Sequence, residues 1–251
     1  MEWYYILALV GTGLVAGFIN TVAGGGSTLT LPLLMFLGLP ANVANGTNRI
    51  AILLQNVVGV NTFRNKKVLN LTSDYKLAVP AILGSILGAY FAVEIDEETL
   101  RKVITGLMVV MLLLVVLKPD VWVKNKAGAI NIKPSVFQYI LFFFIGVYGG
   151  FIQMGVGFIL LAGLVLGCGH DLVKANAVKV FIVLIYTIFS LGIFFYNKQV
   201  DLMAGLILAG GNMGGAWLGA HFTIKGGAKY VRYVLLLALI LIILNLLGVF
   251  G

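Results

Sequence analysis

Two glycine-rich stretches hold polar side chains that could meet a solute. The first carries Asn20, Thr21, Gly24, Gly25, Gly26, Ser27 and Thr28; the second carries Gln153, Met154, Gly155, Val156 and Gly157. Each interrupts an apolar run, and a new apolar run starts right after it. A helix that starts there leaves backbone N–H groups free and presents the positive end of its dipole, which is the chemistry of an anion site. The first stretch is the more polar, so the site is expected to be asymmetric. Two further runs open on Asn45-Gly46-Thr47-Asn48-Arg49 and Asn176-Ala177-Val178-Lys179. There Asn45 and Asn176 read either as N-caps or as substrate contacts, with Thr47 and Asn48 beside them. Arg49 and Lys179 are the only basic residues set about one turn into an apolar run. They are expected to draw an anion at opposite mouths of one path; the competing reading is that they snorkel to the interface.

Other chemistries lack their residues. No His, Cys, Asp or Glu cluster has metal-ligand spacing, and no Ser-His-Asp set is visible, so neither a cofactor nor an enzyme is expected. No Asp or Glu falls mid-run, whereas cation pathways place carboxylates there; an anion or a neutral solute is favoured. That absence leaves the coupling ion open, with a proton among the candidates but no obvious carrier for it. His170 and His221 stand at run ends, and Cys168 is the single cysteine. Gln55, Asn56 and Asn212 are mid-run amides, expected to bond neighbouring helices.

The elements that must position these residues follow from composition. The chain has 251 residues, 61% hydrophobic and 10% charged, against about 45–50% and about 25% for a soluble domain. So little charge cannot clothe a water-facing surface, and so much apolar character excludes disorder. Continuous rather than alternating apolar runs disfavour a β-barrel. An all-α polytopic membrane protein remains, with the lipid bilayer as its solvent. The N-terminus lacks the basic start of a signal peptide, so the first run is expected to stay in the mature protein. Ten apolar segments can be drawn, at about 3–22, 28–39, 46–63, 75–93, 99–117, 135–154, 157–167, 175–196, 202–222 and 230–250. Eight are long enough to span roughly 30 Å of hydrocarbon. The two short ones, 28–39 and 157–167, follow the glycine breaks, and short interrupted segments at matching places in two halves point to a transporter site. Irregular backbone at membrane depth is tolerated only when buried or lining a cavity; the competing reading is that the glycines merely permit turns and close packing.

The two halves match in order. Gly17-Phe18-Ile19-Asn20 pairs with Gly150-Phe151-Ile152-Gln153, Ala44-Asn45 with Ala175-Asn176, Asn65-Lys66 with Asn197-Lys198, Leu87-Gly88-Ala89 with Leu218-Gly219-Ala220, and Arg101 with Arg232, at offsets of 131 to 133. Charge decides their relative direction. If each break turns the chain back as a helical hairpin, each half has five segments and the second is inverted. One face then holds 13 of the 17 basic residues. If residues 3–39 are instead one helix, the split is 9 to 8 and shows no bias. The positive-inside rule prefers the hairpins. It puts both termini outside and a linker over 118–134 inside, between an N-terminal repeat (1–117) and a C-terminal inverted repeat (135–251) that together form one transmembrane domain. The charge of +8 is then an orientation signal, with no call for nucleic acid.

The run Gly17-Phe18-Ile19-Asn20-Thr21-Val22-Ala23-Gly24-Gly25-Gly26-Ser27, then Leu31-Pro32-Leu33-Leu34, Gly38-Leu39-Pro40 and Ala44-Asn45-Gly46-Thr47-Asn48 resembles the TauE/SafE family of sulfite exporters. The second copy keeps Gly155-Val156-Gly157 but has Leu161-Ala162-Gly163 in place of the proline step. The resemblance runs over essentially the whole chain. It implies transport of sulfite or a related sulfur oxyanion or organosulfonate across a prokaryotic inner membrane. The combined expectation is a secondary transporter that holds a small anion between two hairpin tips and works by alternating access. A passive anion channel is the nearest rival, and an intramembrane enzyme the rival from another class. Oligomeric state is left open.

Overall fold

A computed structural model describes residues 3–69, 75–104, 106 and 135–246, of which 227–246 are described by backbone alone. Among the described residues every regular element is helical. The first half contributes α1 (Trp3–Val22), α2 (Ser27–Phe36), α3 (Ala41–Asn65) and α4 (Ala78–Glu94), the last entered through a 3-10 turn at Tyr75–Leu77. A further helical stretch at 97–104 follows, its first turn held by Asp96, whose carboxylate accepts from Thr99 N at 2.9 Å. The second half contributes α5 (Val136–Phe151), α6 (Val156–Ala162) with a π-helical turn over Gly163–Gly167, α7 (Leu172–Tyr196) and α8 (Leu202–Leu246). The 118–134 linker and most of the segment expected at 99–117 lie outside the described residues.

Both expected hairpins are present. Gly26 packs against Ala16 and Asn20, and Leu31 and Leu34 join Leu9 in one apolar cluster, so α2 runs back along α1. In the second half Phe142 of α5 clusters with Leu160, Leu161 and Leu164, and Gln138 Nε2 near the start of α5 bonds Gly167 O at the far end of the π turn. Helix starts differ from expectation. The third helix begins at Ala41 after Pro40, and α7 begins at Leu172, where the Asp171 carboxylate accepts from Val173 N at 2.9 Å and Lys174 N at 3.0 Å. Asn45 and Asn176 therefore sit inside helices and cap nothing. Pro40 and Asp171 start those helices earlier because a fixed φ and a carboxylate acceptor each favour an N-terminus. The break expected between 222 and 230 is also absent. Residues Leu202–Leu246 form one helix of 45 residues that continues through Gly226-Gly227, because glycine in a helix costs about 1 kcal/mol without forbidding it. The described second half thus has one segment fewer than the five expected. At about 1.5 Å per residue α8 is roughly 68 Å long, over twice the hydrocarbon thickness.

Glycine ladders fix which helices pair and in which direction. On α8, Gly211, Gly215 and Gly219 lie in that order against Val10, Leu14 and Phe18 of α1, with Cβ positions 2.1, 2.0 and 2.9 Å from the facing carbonyl oxygens. Gly84 and Gly88 of α4 lie in the same way against Phe143 and Val147 of α5, each 2.0 Å from the facing carbonyl. Any side chain there would force the helices apart, which is the physical content of a small-xxx-small interface. The order shows that α1 and α8 run parallel, as do α4 and α5. By the same reading α3 runs parallel to α8 (Gly46 by Gln199, Gly205 by Ile50) and antiparallel to α7 (Arg49 by Ser190, Gly59 by Val180). Helix α7 is parallel to α4 (Ser85 by Tyr186, Val93 by Gln199). Helices at matching places in the two halves thus point in opposite directions. Arg64, Lys66, Lys67, Lys76, Lys174 and Lys225 lie at one end with Asp171, and Glu94, Asp96, Glu97, Glu98 and Asp201 at the other with Arg101, Lys102 and Lys198.

Four helical stretches are long and apolar enough to cross a membrane: Trp3–Val22, Tyr75–Glu94, Leu172–Tyr196 and Leu202–Gly226. Their outer faces expose large apolar side chains, among them Leu7, Leu14, Leu83, Phe91, Ile188, Leu206 and Trp217. In water such a surface would be a liability; in lipid it is the surface required. The third helix, 25 residues long, is not apolar enough to count as a candidate span. It is the central helix, and its Asn45, Thr47, Asn48, Arg49, Gln55 and Asn56 are all buried.

Candidate functional site

The tips of the two hairpins meet. Gly24 and Gly157 are in backbone contact, so close that a Cβ on Gly24 would lie 2.4 Å from the Gly157 carbonyl carbon. Gly24 (φ 94°) and Gly155 (φ 71°) occupy the left-handed region that glycine enters without penalty. Gly25 leaves room for the ring of Phe158. The first turns after the breaks are more self-satisfied than a bare helix start. Thr28 N donates to Gly25 O at 3.1 Å, Leu29 N to Gly26 O at 3.0 Å and Phe158 N to Gly155 O at 3.1 Å. Thr28 Oγ1 also donates to Gly25 O, at 2.6 Å. The breaks therefore offer fewer free N–H groups than helix starts in general.

Beside the meeting point lies a small, partly open cavity, in this conformation with room for about one water, lined by Asn20, Ser27, Ile52, Gln55, Asn56, Gln153, Val156, Gly157, Lys179 and Val183. Gln153 is buried; its Nε2 donates to Thr187 Oγ1 at 2.8 Å, and its Oε1 has no partner among the described residues. Lys179 is 2% exposed. Its Nζ donates to Asn20 O and Thr21 O, both at 2.9 Å, and to Asn176 Oδ1 at 2.6 Å. Two buried atoms next to it, Asn176 Nδ2 and Thr21 Oγ1, have no partner among the described residues. Gln55 and Asn56, for which bonding to neighbouring helices is weighed above substrate contact, line this cavity as well. Asn56 bonds its own helix (Nδ2 to Ile52 O, 2.7 Å), and Gln55 Oε1 accepts from Asn212 Nδ2 at 3.0 Å.

The rest of the expected site is elsewhere. Arg49, 0% exposed, donates to Gly149 O (3.1 Å), Gly150 O (2.6 Å) and Ser190 Oγ (3.0 Å), and its guanidinium lies 4.5 Å from the centre of the Phe194 ring. Asn45 Nδ2 donates to Phe151 O at 2.8 Å. Asn48 Oδ1 accepts from Thr30 Oγ1 at 2.7 Å and joins α3 to α2. Thr47 Oγ1 accepts from Asp201 N at 2.8 Å, beside the start of α8. The snorkelling reading is corrected for both cations. Both residues are buried and turn inward, because each answers the same structural need. The last carbonyls of a helix lack intrahelical partners, and the dipole there favours a cation. Arg49, on α3, caps the end of α5; Lys179, on α7, caps the end of α1. Each central helix holds the hairpin of the other half. Among the described residues no group of three or more His, Cys, Asp or Glu could hold a metal ion.

The glycine hairpins and central amides can now be set beside known proteins. A family model described as sulfite exporter TauE/SafE matches residues 9–246. The chain belongs to the sulfite exporter TauE/SafE family. Among its relatives, the probable membrane transporter protein ORF9 of Sinorhizobium sp is 27% identical over 246 residues, covering 98% of this chain and 94% of that protein. A probable membrane transporter protein of Haemophilus influenzae is 27% identical over 220 residues (88% of this chain, 86% of that protein). The probable membrane transporter protein YfcA of Escherichia coli strain K12 is 29% identical over 221 residues (87% of this chain, 81% of that protein). No solved structure matches the chain. As a TauE/SafE member the protein is a multi-pass membrane transporter, and the intramembrane-enzyme reading is set aside on that ground.

Proposed function

We propose that this transporter is a secondary carrier of sulfite or a related sulfur oxyanion or organosulfonate, built as an inverted repeat and working by alternating access in a prokaryotic inner membrane. The observation that carries the reading is the cavity beside the two touching glycine tips. It is walled by Asn20, Ser27, Gln55, Asn56 and Gln153 and holds one buried cation, Lys179. Buried polar groups without full partners are costly; the Lys179 charge would attract an oxyanion, and the unpartnered Asn176 Nδ2 and Thr21 Oγ1 beside it could donate to one. No buried carboxylate is present among the described residues to compete for that charge. Charge supports an orientation in which the Arg64, Lys76 and Lys225 end faces the cytoplasm. The pairs α1–α8 and α4–α5 are locked by glycine contacts, so rocking between bodies built on these pairs is the natural motion.

The test is flux into proteoliposomes with sulfite, thiosulfate, sulfoacetate and sulfate. Saturable transport of at least one sulfur anion, reduced at least tenfold by Gln153→Ala, is expected. Flux that never saturates would make the protein a channel, and no flux of any of the four would overturn the reading.

A further inference from the structure

The two buried cations differ in one chemical respect. Arginine keeps its proton at any accessible pH, whereas a buried lysine is the cation that can release one. Arg49 faces backbone carbonyls, Asn45, Ser190 and Phe194 and does not line the cavity; Lys179 does line it. Neither has a carboxylate partner among the described residues, and each described Asp and Glu lies at a helix end, outside the buried core. Other titratable groups near Lys179 are few. The buried part of α1, the first tip, α2 and α6 contain none. From α3 comes Arg49, ten residues from the Gly59 that packs on Val180, hence about 15 Å along the helix. From α5 comes Tyr148, which donates to Met154 O at 2.7 Å. Tyr186 lies on α7 itself, and α8 offers Lys225 and also His221, bonded to Trp217 O at 2.9 Å.

We propose that Lys179 is the proton carrier of the transport cycle, so that one proton and one anion cross together, with Arg49 as its non-titrating structural counterpart. The proposal rests on the transport reading above and names its coupling. With an anion in the cavity, the ammonium is the counter-charge and keeps its proton. When the anion leaves, Nζ returns the proton to water on that side; it takes another from water on the side where the next anion enters. For a singly charged anion the cycle moves no net charge. The three acceptors around Nζ, namely Asn20 O, Thr21 O and Asn176 Oδ1, match the three N–H bonds of the ammonium. The neutral amine has only two. Loss of the proton therefore loosens the hold of α7 on the end of α1 and its glycine tip, which ties the protonation state to the hairpin that must move.

The probe is a sulfonate, methanesulfonate or sulfoacetate, whose sulfonate group stays ionised throughout the pH range. Two fluxes are compared in proteoliposomes: uptake driven by an acid-outside pH gradient, and exchange of labelled for unlabelled anion with no gradient. Wild type is expected to accumulate the sulfonate under the gradient. Lys179→Arg, which keeps the charge but not the exchangeable proton, is expected to lose gradient-driven uptake at least tenfold while exchange falls by a much smaller factor. Arg49→Lys is expected to keep the gradient response, and it guards against any core substitution simply failing to fold. Gradient-driven uptake retained in Lys179→Arg, or wild-type exchange that no pH gradient drives, would overturn the proton-carrier role and leave the transport reading standing. Absence of both fluxes in wild type would overturn that reading instead.

Discussion

Arg49 and Lys179 occupy nearly matching places in the two halves and do matching work. Each sits about two turns into a central helix beside an asparagine, Asn45 sharing the Phe151 O acceptor with Arg49 and Asn176 itself accepting from Lys179, and each ends on the orphan carbonyls of the opposite hairpin. The pairing is not perfectly symmetric, since Asn45 and Arg49 are four apart and Asn176 and Lys179 three. The longer arginine reaches the carbonyls of Gly149, Gly150 and Phe151 and Ser190 besides, whereas the lysine reaches those of Asn20 and Thr21. Removing the arginine strands at least two buried acceptors, Gly149 O and Gly150 O, at about 1–3 kcal/mol each. Arg49→Ala is therefore expected to cost about 3 kcal/mol, roughly 6–12 °C in Tm for a chain of this size. Thermal unfolding in detergent reads this, and an unchanged Tm would mean that the cap carries no stability.

At the level of elements, the glycines divide into those that set backbone contact and those that set nothing. On one helix, α8, Gly215 puts its Cβ position 2.0 Å from Leu14 O, while Gly210 has nothing within 4 Å. Gly215→Ala must push α1 and α8 apart. Gly210→Ala only adds helix propensity, about 0.8–1 kcal/mol in favour of alanine. Measured in detergent, the first is expected to lower Tm by several degrees and the second to leave it unchanged or raise it slightly. A fall of equal size in both would mean that the close α1–α8 contact is not what these residues provide. The hairpin tips follow the same logic more severely, because Gly24 needs both a positive φ and the space that Gly157 occupies.

For the molecule as a whole, the central fact is that an amide- and cation-bearing helix, α3, runs through the middle while apolar helices face outward. The positive-inside rule supports the proposed orientation, with the N-terminus outside and the 118–134 linker inside. A reporter active only outside the membrane is expected to be active when fused before Met1 and silent when inserted near residue 125. The reverse pattern would invert the proposed orientation. The same reporter after Gly251 reads whether α8 stays straight through Gly226-Gly227 in a bilayer. Its Leu- and Ile-rich second half needs hydrocarbon of its own, so an outside signal is expected, as the charge count also requires. An inside signal would mean that the helix crosses once and remains unbroken.

The all-helical class and the hairpins at the glycine breaks were legible in the chain, because each rests on local pattern: apolar run length and glycine position. The lysine–arginine asymmetry likewise reports topology, since it is a rule about which residues cross a membrane and needs no coordinates. The site was legible only in part. Asn20, Ser27, Gln153, Gly157 and Lys179 do share one cavity, whereas Asn45, Thr47, Asn48 and Arg49 serve joints between helices and are not part of it. Both groups have the same composition and the same setting within an apolar run. What separates them is which unsatisfied carbonyl or neighbouring helix lies opposite, and residues about 100 to 160 positions apart supply those partners. The inward turn of both cations was hidden for the same reason: the orphan carbonyls that draw them belong to the other half of the chain, and only the packed molecule brings them within reach.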